Sequence, residues 1–340
     1  MVHQTNRSPA LIRMRILKFL VSSVIVFFMA LVFVSYKNAD SMMHFNTDGT
    51  RTPKFEEMSA LEKLTLFAFG FKRPRPQNHQ NPASLDIPFE DITIKGEGNR
   101  SIHMWKIPGI QSQPIFVLFH GFGGNLEKML PALKILHEEG YSCYMVEFPG
   151  SGGSSGNQTT IGILEAGDVK TAFEYIRKEN RSRKVVLFGS SMGAAAITRA
   201  VALSSIQPDG LILESPFDSF LETLKNRFHR LKVPTFPLSH LITGWIGILT
   251  GTNAFDHEPA EFIKRAKMPI LLLHGEKDHN VTSQQIKRIY ENITSPKIFQ
   301  VFPDVGHKFF AQTHPKIWKS SLTTFLRVNR LSRNLESLPQ

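Results

Sequence analysis

The chain has 340 residues, 41% apolar and 10% aromatic, enough to bury a large core, which excludes disorder over most of its length. Its one cysteine, Cys143, excludes a disulfide framework or a cysteine-rich zinc site, and its place in a strand-like run reads as a small buried apolar side chain. The formal charge of +11 comes without a dense basic run, a zinc-finger spacing or an aromatic RNA-binding motif, so no nucleic acid is expected; a plain solvated surface or one facing anionic lipid accounts for it.

Residues 19–36 carry no charge and predict a membrane-spanning helix, since 18 residues with their flanks cross a hydrocarbon core at about 1.5 Å each. The run exceeds the apolar core of a signal peptide, and no small-x-small cleavage site follows Tyr36, so an uncleaved signal-anchor is expected. Arg7, Arg13, Arg15 and Lys18 precede it, whereas Lys37 is offset by Asp40 and the next basic residue is Arg51. That asymmetry puts the 1–18 tail in the cytoplasm and the large domain across the membrane, in a periplasmic, extracellular or lumenal space. Asn-x-Ser/Thr patterns at Asn6, Asn99, Asn157, Asn180, Asn280 and Asn292 fit a lumenal setting, although such triplets also arise by chance.

Residues 37–84 read as a juxtamembrane segment. Within it, 52–70 predicts a short amphipathic helix, with Pro53 at its first position, Glu56 and Glu57 in its first turn, and Phe55, Met58, Leu61 and Leu64 at helical spacing. It rests either on the membrane surface or on the folded domain. The stretch from Arg73 to Pro82 reads as a stiff proline-rich connector.

From 85 to 330 strand and helix signals alternate. Strands are predicted at 87–94, 101–107, 115–119, 141–148, 184–188, 210–214, 270–274 and 298–302, and helices at 125–139, 164–180, 192–204, 283–292 and about 314–329. Apolar strands separated by helices of this length imply an α/β fold, a mostly parallel sheet covered on both faces, with its site at the strands' C-terminal ends. Residues 217–258 interrupt this rhythm with Phe217, Phe220, Leu224, Phe228 and Trp245 among prolines and glycines, and read as an inserted helical lid. A C-terminal tail, 331–340, follows the domain.

Three stretches carry chemistry. Gly189-Ser190-Ser191-Met192-Gly193 joins a predicted strand to a predicted helix, and a turn that tight demands small residues two before and two after its centre, making Ser191 the candidate nucleophile. A serine hydroxyl needs a base to take its proton and donors for the charge that builds on the attacked carbonyl oxygen. The turn His120-Gly121-Phe122-Gly123-Gly124 follows the third strand and resembles the glycine-rich oxyanion loop of lipases and esterases, with Phe122 and Met192 N–H as donors. His307, just after the last strand, is the candidate base. Its acid is Asp278, in His274-Gly275-Glu276-Lys277-Asp278, or Asp218, after an earlier strand. His120 and His274, at strand ends before tight turns, read as structural hydrogen-bonders, and Asp304 as a loop hydrogen-bonder.

With these pieces placed, residues 86–329 resemble the α/β-hydrolase superfamily, in particular its membrane-anchored serine hydrolases related to the prolyl-oligopeptidase and acyl-thioesterase branches. The resemblance rests on the motifs above together with the glycine-rich 148–156 loop and Gly306-His307. It implies hydrolysis of an ester, thioester or amide through an acyl-serine, with Ser191, Asp278 and His307 catalytic and without metal or organic cofactor. Glu147-Phe148-Pro149 departs from the Asp-Tyr-Arg frequent in relatives. The lid and the anchor favour a lipid-like ester or thioester; a prolyl-oligopeptidase-like peptidase and a catalytically inactive binding module are the alternatives.

Overall fold

The computed structural model describes residues 9–332, so Asn6, Arg7 and most of the 331–340 tail lie outside the described residues. In chain order the elements are α1 (Pro9–Met43), α2 (Ala60–Phe69), β1 (Glu90–Lys95), β2 (Ser101–Ile107), β3 (Ile115–Phe119), α3 (Leu130–Glu138), β4 (Ser142–Val146), α4 (Glu165–Glu179), β5 (Val185–Ser190), α5 (Met192–Ser204) and β6 (Gly210–Glu214). They continue with α6 (Phe220–Arg230), α7 (Leu238–Thr250), α8 (Pro259–Phe262), β7 (Ile270–Gly275), α9 (Ser283–Asn292), β8 (Lys297–Phe302), α10 (Phe310–Thr313) and α11 (Pro315–Val328).

Eight strands form one sheet in the order β1-β2-β4-β3-β5-β6-β7-β8, antiparallel at the β1–β2 and β2–β4 pairs and parallel from β4 to β8. Side chains alternate across it. Strand β3 sends Ile115, Val117 and Phe119 to one face, where α4, α5 and α9 bring Val169, Ile197 and Ile286. Phe116 and Leu118 point to the other, where α3 and α11 bring Leu133, Leu136, Trp318 and Phe325. Because both faces are dry at β3 to β7, those strands are near-continuous apolar runs, whereas the edge strand β8 leaves Phe299 and Val301 exposed. Cys143 is fully buried in β4, and burial pushes its thiol pKa up, so it serves as a small apolar side chain.

The N-terminal third differs from its sequence reading in three places. Residues 52–70 do not form one helix: a short 3-10 turn at Phe55–Glu57 ends before Met58, and α2 starts at Ala60. The cause is a capping box, in which Ser59 Oγ accepts the Glu62 N–H and the Glu62 carboxylate accepts the Ser59 N–H. Helix α2 packs on α1, where Asn38 donates to the Phe67 carbonyl at 2.9 Å and the Phe33 and Phe69 rings meet edge-on at 6.1 Å; Leu61 and Leu64 stay exposed.

Helix α1 extends well past the predicted 19–36 span. From Arg13 to Met43 it is long and apolar enough to cross a membrane. Phe19, Phe27 and Phe28 are exposed, whereas Ser35, Ala39 and Met43 are buried against the α6–α7 insertion. The Trp245 indole donates to Ser35 Oγ at 3.1 Å and meets Tyr36 edge-on at 5.3 Å. One rigid rod therefore joins the apolar segment to the insertion.

The proline-rich stretch is no free connector either. Arg75 donates to the carbonyls of Ser151, Gly152, Ser154 and Gly156, and Asn125 donates to the Gln77 carbonyl at 2.6 Å, so residues 75–77 are bonded to the loops after β3 and β4.

Candidate active site

Strand β5 delivers Ser191 into a sharp turn before α5, with φ 51° and ψ −110°. A non-glycine residue holds such a backbone only where its surroundings fix it. The fixing groups are visible: the Ser191 N–H donates to the Glu214 carbonyl at 2.7 Å, and Ser190 Oγ donates to Glu214 Oε1 at 3.3 Å, so Ser190 engages β6. Gly189 and Gly193 are required by space. A Cβ on Gly189 would lie 2.5 Å from Gly193 and Ala194 backbone atoms, and one on Gly193 would lie 2.5 Å from the Phe119 carbonyl oxygen.

The ends of β7 and β8 bring two more predicted residues to Ser191. His307 Nε2 is 3.0 Å from Ser191 Oγ, and His307 Nδ1 is 2.7 Å from Asp278 Oδ2. Asp278 Oδ1 accepts N–H groups from Asn280 at 2.8 Å and Val281 at 3.0 Å. Burial alone raises its pKa, but the hydrogen bond and charge of His307, with the two amides, outweigh that and hold the carboxyl below the usual carboxylate range. Asp218 is not brought to His307. Its carboxylate takes hydrogen bonds from Gln285 and the Ser219 N–H and lies 3.5 Å from Arg288, which ties α6 to α9.

The other sequence candidates separate clearly. Asp304 is exposed and pairs with Lys277 at 2.6 Å rather than serving its own loop. The His120 ring bridges the Gly121 carbonyl at 2.9 Å and the Phe148 N–H at 3.1 Å, as a structural hydrogen-bonder does. His274 departs from its reading: it is buried with neither ring nitrogen bonded among the described residues, and burial lowers its pKa.

The loop after β3 passes close to the serine. A Cβ on Gly121 would stand 3.2 Å from the Ser190 carbonyl oxygen and 3.4 Å from Ser191 Cβ, so this backbone lies against the elbow. The Phe122 N–H has no acceptor among the described residues, and the Met192 N–H opens α5, where helix geometry supplies none. Glu147, where the sequence departs from the frequent pattern, is fully buried and accepts from Asn78 at 2.9 Å and the Gly153 N–H at 2.8 Å, with His103 at 3.0 Å. It anchors the 148–156 loop. Among the described residues no group of three or more His, Cys, Asp or Glu could hold a metal ion.

Two features were missed in the sequence. Glu214 sits fully buried under the elbow, its pKa raised to about 8 chiefly by burial. A carboxylate ending an otherwise apolar strand was the available signal. Arg73, read as part of a connector, lies over the Phe122 ring at 4.3 Å. Nothing in the local pattern marked it, because the contact spans 49 positions (122 − 73) of sequence.

Comparisons with known proteins agree with this architecture. A family model described as serine aminopeptidase, S33, matches residues 111–241, and one for the dienelactone hydrolase family matches 247–326. Among curated relatives, protein YfhR of Escherichia coli is 24% identical over 246 residues, covering 70% of this chain and 80% of that protein. Protein bem46 of Schizosaccharomyces pombe is 25% identical over 254 residues, covering 72% and 80%. Among solved structures, the Pyrococcus furiosus esterase Pf2001 superposes with a TM-score of 0.63 at 23% identity, covering 75% of this chain and 96% of its own. Est1E of Butyrivibrio proteoclasticus, solved with ferulic acid, gives 0.57 at 16% identity, covering 70% and 99%. Two hydrolase family models in tandem, on a mostly parallel eight-stranded sheet with helices on both faces, make this chain a member of the α/β-hydrolase superfamily.

Proposed function

We propose that this hydrolase is a serine esterase or thioesterase acting through an acyl-serine on Ser191. The observation that carries the reading is the continuous relay from Asp278 through His307 to Ser191, at 2.7 and 3.0 Å, beside the Phe122 amide, which has no acceptor among the described residues. In the first half-reaction His307 Nε2 takes the Ser191 proton as Oγ attacks the carbonyl carbon, and Asp278 steadies the imidazolium. The Phe122 and Met192 amides receive the oxyanion, each worth roughly 3 kcal/mol of transition-state stabilisation. His307 then protonates the leaving alcohol or thiol. In the second half it takes a proton from water, whose oxygen attacks the acyl carbon, and returns that proton to Ser191.

A lipid-like acyl group is the favoured substrate. The helices packed on α1 expose Leu61, Leu64 and Ile248 next to a helix that is long and apolar enough to cross a membrane. We assign α1 as an uncleaved anchor and α6–α7 as a lid. Arg13, Arg15 and Lys18 before the span argue for a cytoplasmic N-terminus and an extracytoplasmic or lumenal domain.

An active-site serine probe should label the full-length chain and fail on Ser191→Ala; equal labelling of both overturns the assignment. The aminopeptidase description of one matching family model favours a second reading, a peptidase. Turnover of aminoacyl amides in place of p-nitrophenyl esters would select it.

A further inference from the structure

A cleft of about 780 Å³ opens beside the proposed oxyanion loop, with Phe122 and Gly123 in one wall and residues on both sides of α2, including Arg51 and Arg73, in the other. Its lining is basic. Lys128 joins the two arginines, while Glu127, the carboxylate in the lining, already accepts the His79 N–H at 2.8 Å. Arg75, also in the lining, is consumed by its four carbonyls.

Arg73 is held unusually for a half-buried cation. Its guanidinium lies over Phe122 at 4.3 Å and Phe71 at 5.2 Å, and Arg227 of α6 lies over that same Phe71 ring at 4.4 Å. Neither guanidinium has a hydrogen bond or a carboxylate partner among the described residues. Burial, then the charges of Arg227 and Arg51, pushes the Arg73 pKa down to about 10. Ring contacts offset part of the cost of burying these charges but leave the mutual repulsion of like charges, which an anion would cancel.

We propose that this cleft is an anion subsite that binds the phosphate of a phosphorylated acyl ester, with Arg73, Arg51 and Lys128 as its cations. Forked guanidinium donors suit a phosphate dianion. Phe122 links the subsite to the chemistry, because its N–H is the proposed oxyanion donor and its ring carries Arg73. The subsite rests on the hydrolase reading, and it defines the substrate as an ester whose phosphate lies near the reacting carbonyl. A lipid headgroup and a soluble phosphate ester share this chemistry.

The test uses the full chain in neutral detergent with four esters: oleoyl-glycerol and butyryl-glycerol, each with and without a 3-phosphate. The expected result is a kcat/KM at least tenfold higher for the phosphorylated member of a pair. A preference confined to the oleoyl pair identifies a lipid source, and one in both pairs a soluble source. Arg73→Gln should cut that ratio at least tenfold and Arg73→Lys should restore part of it. A wild-type ratio near one, or a ratio that Arg73→Gln leaves unchanged, overturns the subsite. If none of the four esters is turned over, calorimetric titration of Ser191→Ala with inorganic phosphate decides the subsite separately from the hydrolase reading. Binding that Arg73→Gln abolishes supports the cleft, and no binding overturns it.

Discussion

The sheet edge and the region where α1 meets the insertion are held by different means. At the edge, four loops leave β3, β5, β7 and β8, and close backbone approach holds them: a Cβ would come within 2.5 Å of backbone atoms at Gly189 and Gly193, and within 2.6 Å of the Val305 and Gly306 carbonyl oxygens at Gly275. Around α1, position depends on side chains and on apolar surface still exposed, such as Phe27, Leu61 and Ile248. A site fixed by backbone tolerates no local change, whereas a region fixed by separate side-chain contacts should lose its order gradually.

The largest expected effect beyond loss of the proposed nucleophile tests the edge itself. Asp278→Asn should lower kcat about 10³–10⁴-fold, because the amide no longer orients or steadies the imidazole. Asp218→Asn should lower it less than tenfold while reducing stability, since Asp218 bonds Gln285 and Ser219 rather than His307. Equal losses of activity in the two variants would erase the distinction between a residue at the relay and one bracing the insertion.

Glu214 sharpens the comparison from below the edge. With its folded pKa raised to about 8 by burial, the carboxyl is protonated in the fold and ionised in the unfolded chain across an intermediate window. Its contribution is therefore complete below the usual carboxylate range and is lost as pH rises toward 8. Glu214→Gln should gain on wild type by about 1.4 kcal/mol per pH unit from about pH 5 to 8, read from denaturant midpoints of the full chain. A difference that stays constant with pH would mean that the carboxyl is already ionised.

The smallest effect lies where α1 packs on the insertion. Trp245→Phe removes the hydrogen bond to Ser35 and should cost about 1 kcal/mol, seen as a lowered Tm in detergent. A loss of several kcal/mol would show that α1 and the insertion form one cooperative unit with the sheet.

Much of the edge was legible because its signals are local. A strand, a glycine-spaced turn and a helix lie within twenty residues around Ser191, and the fully buried strands, β3 and β7 among them, announce themselves as apolar runs. The exposed periphery was less legible. The capping box at Ser59 and Glu62 overrode a helix start at Pro53, since satisfied amide groups outweigh a favourable first-turn proline.

The amino-acid sequence by itself determined the α/β sheet, the elbow at Ser191, the long apolar N-terminal helix and the order in which the candidate acid and base follow the candidate nucleophile. Only the tertiary structure separates Asp278 from Asp218 by position, because both follow strands of one sheet and only Asp278 bonds His307 while Asp218 bonds Gln285. It also decided that Arg73 and Arg227 share one Phe71 ring beside the loop after β3, a meeting of positions 154 residues apart (227 − 73). Local propensity acts over a few residues, whereas contacts between distant charges exist only once the chain has closed around them.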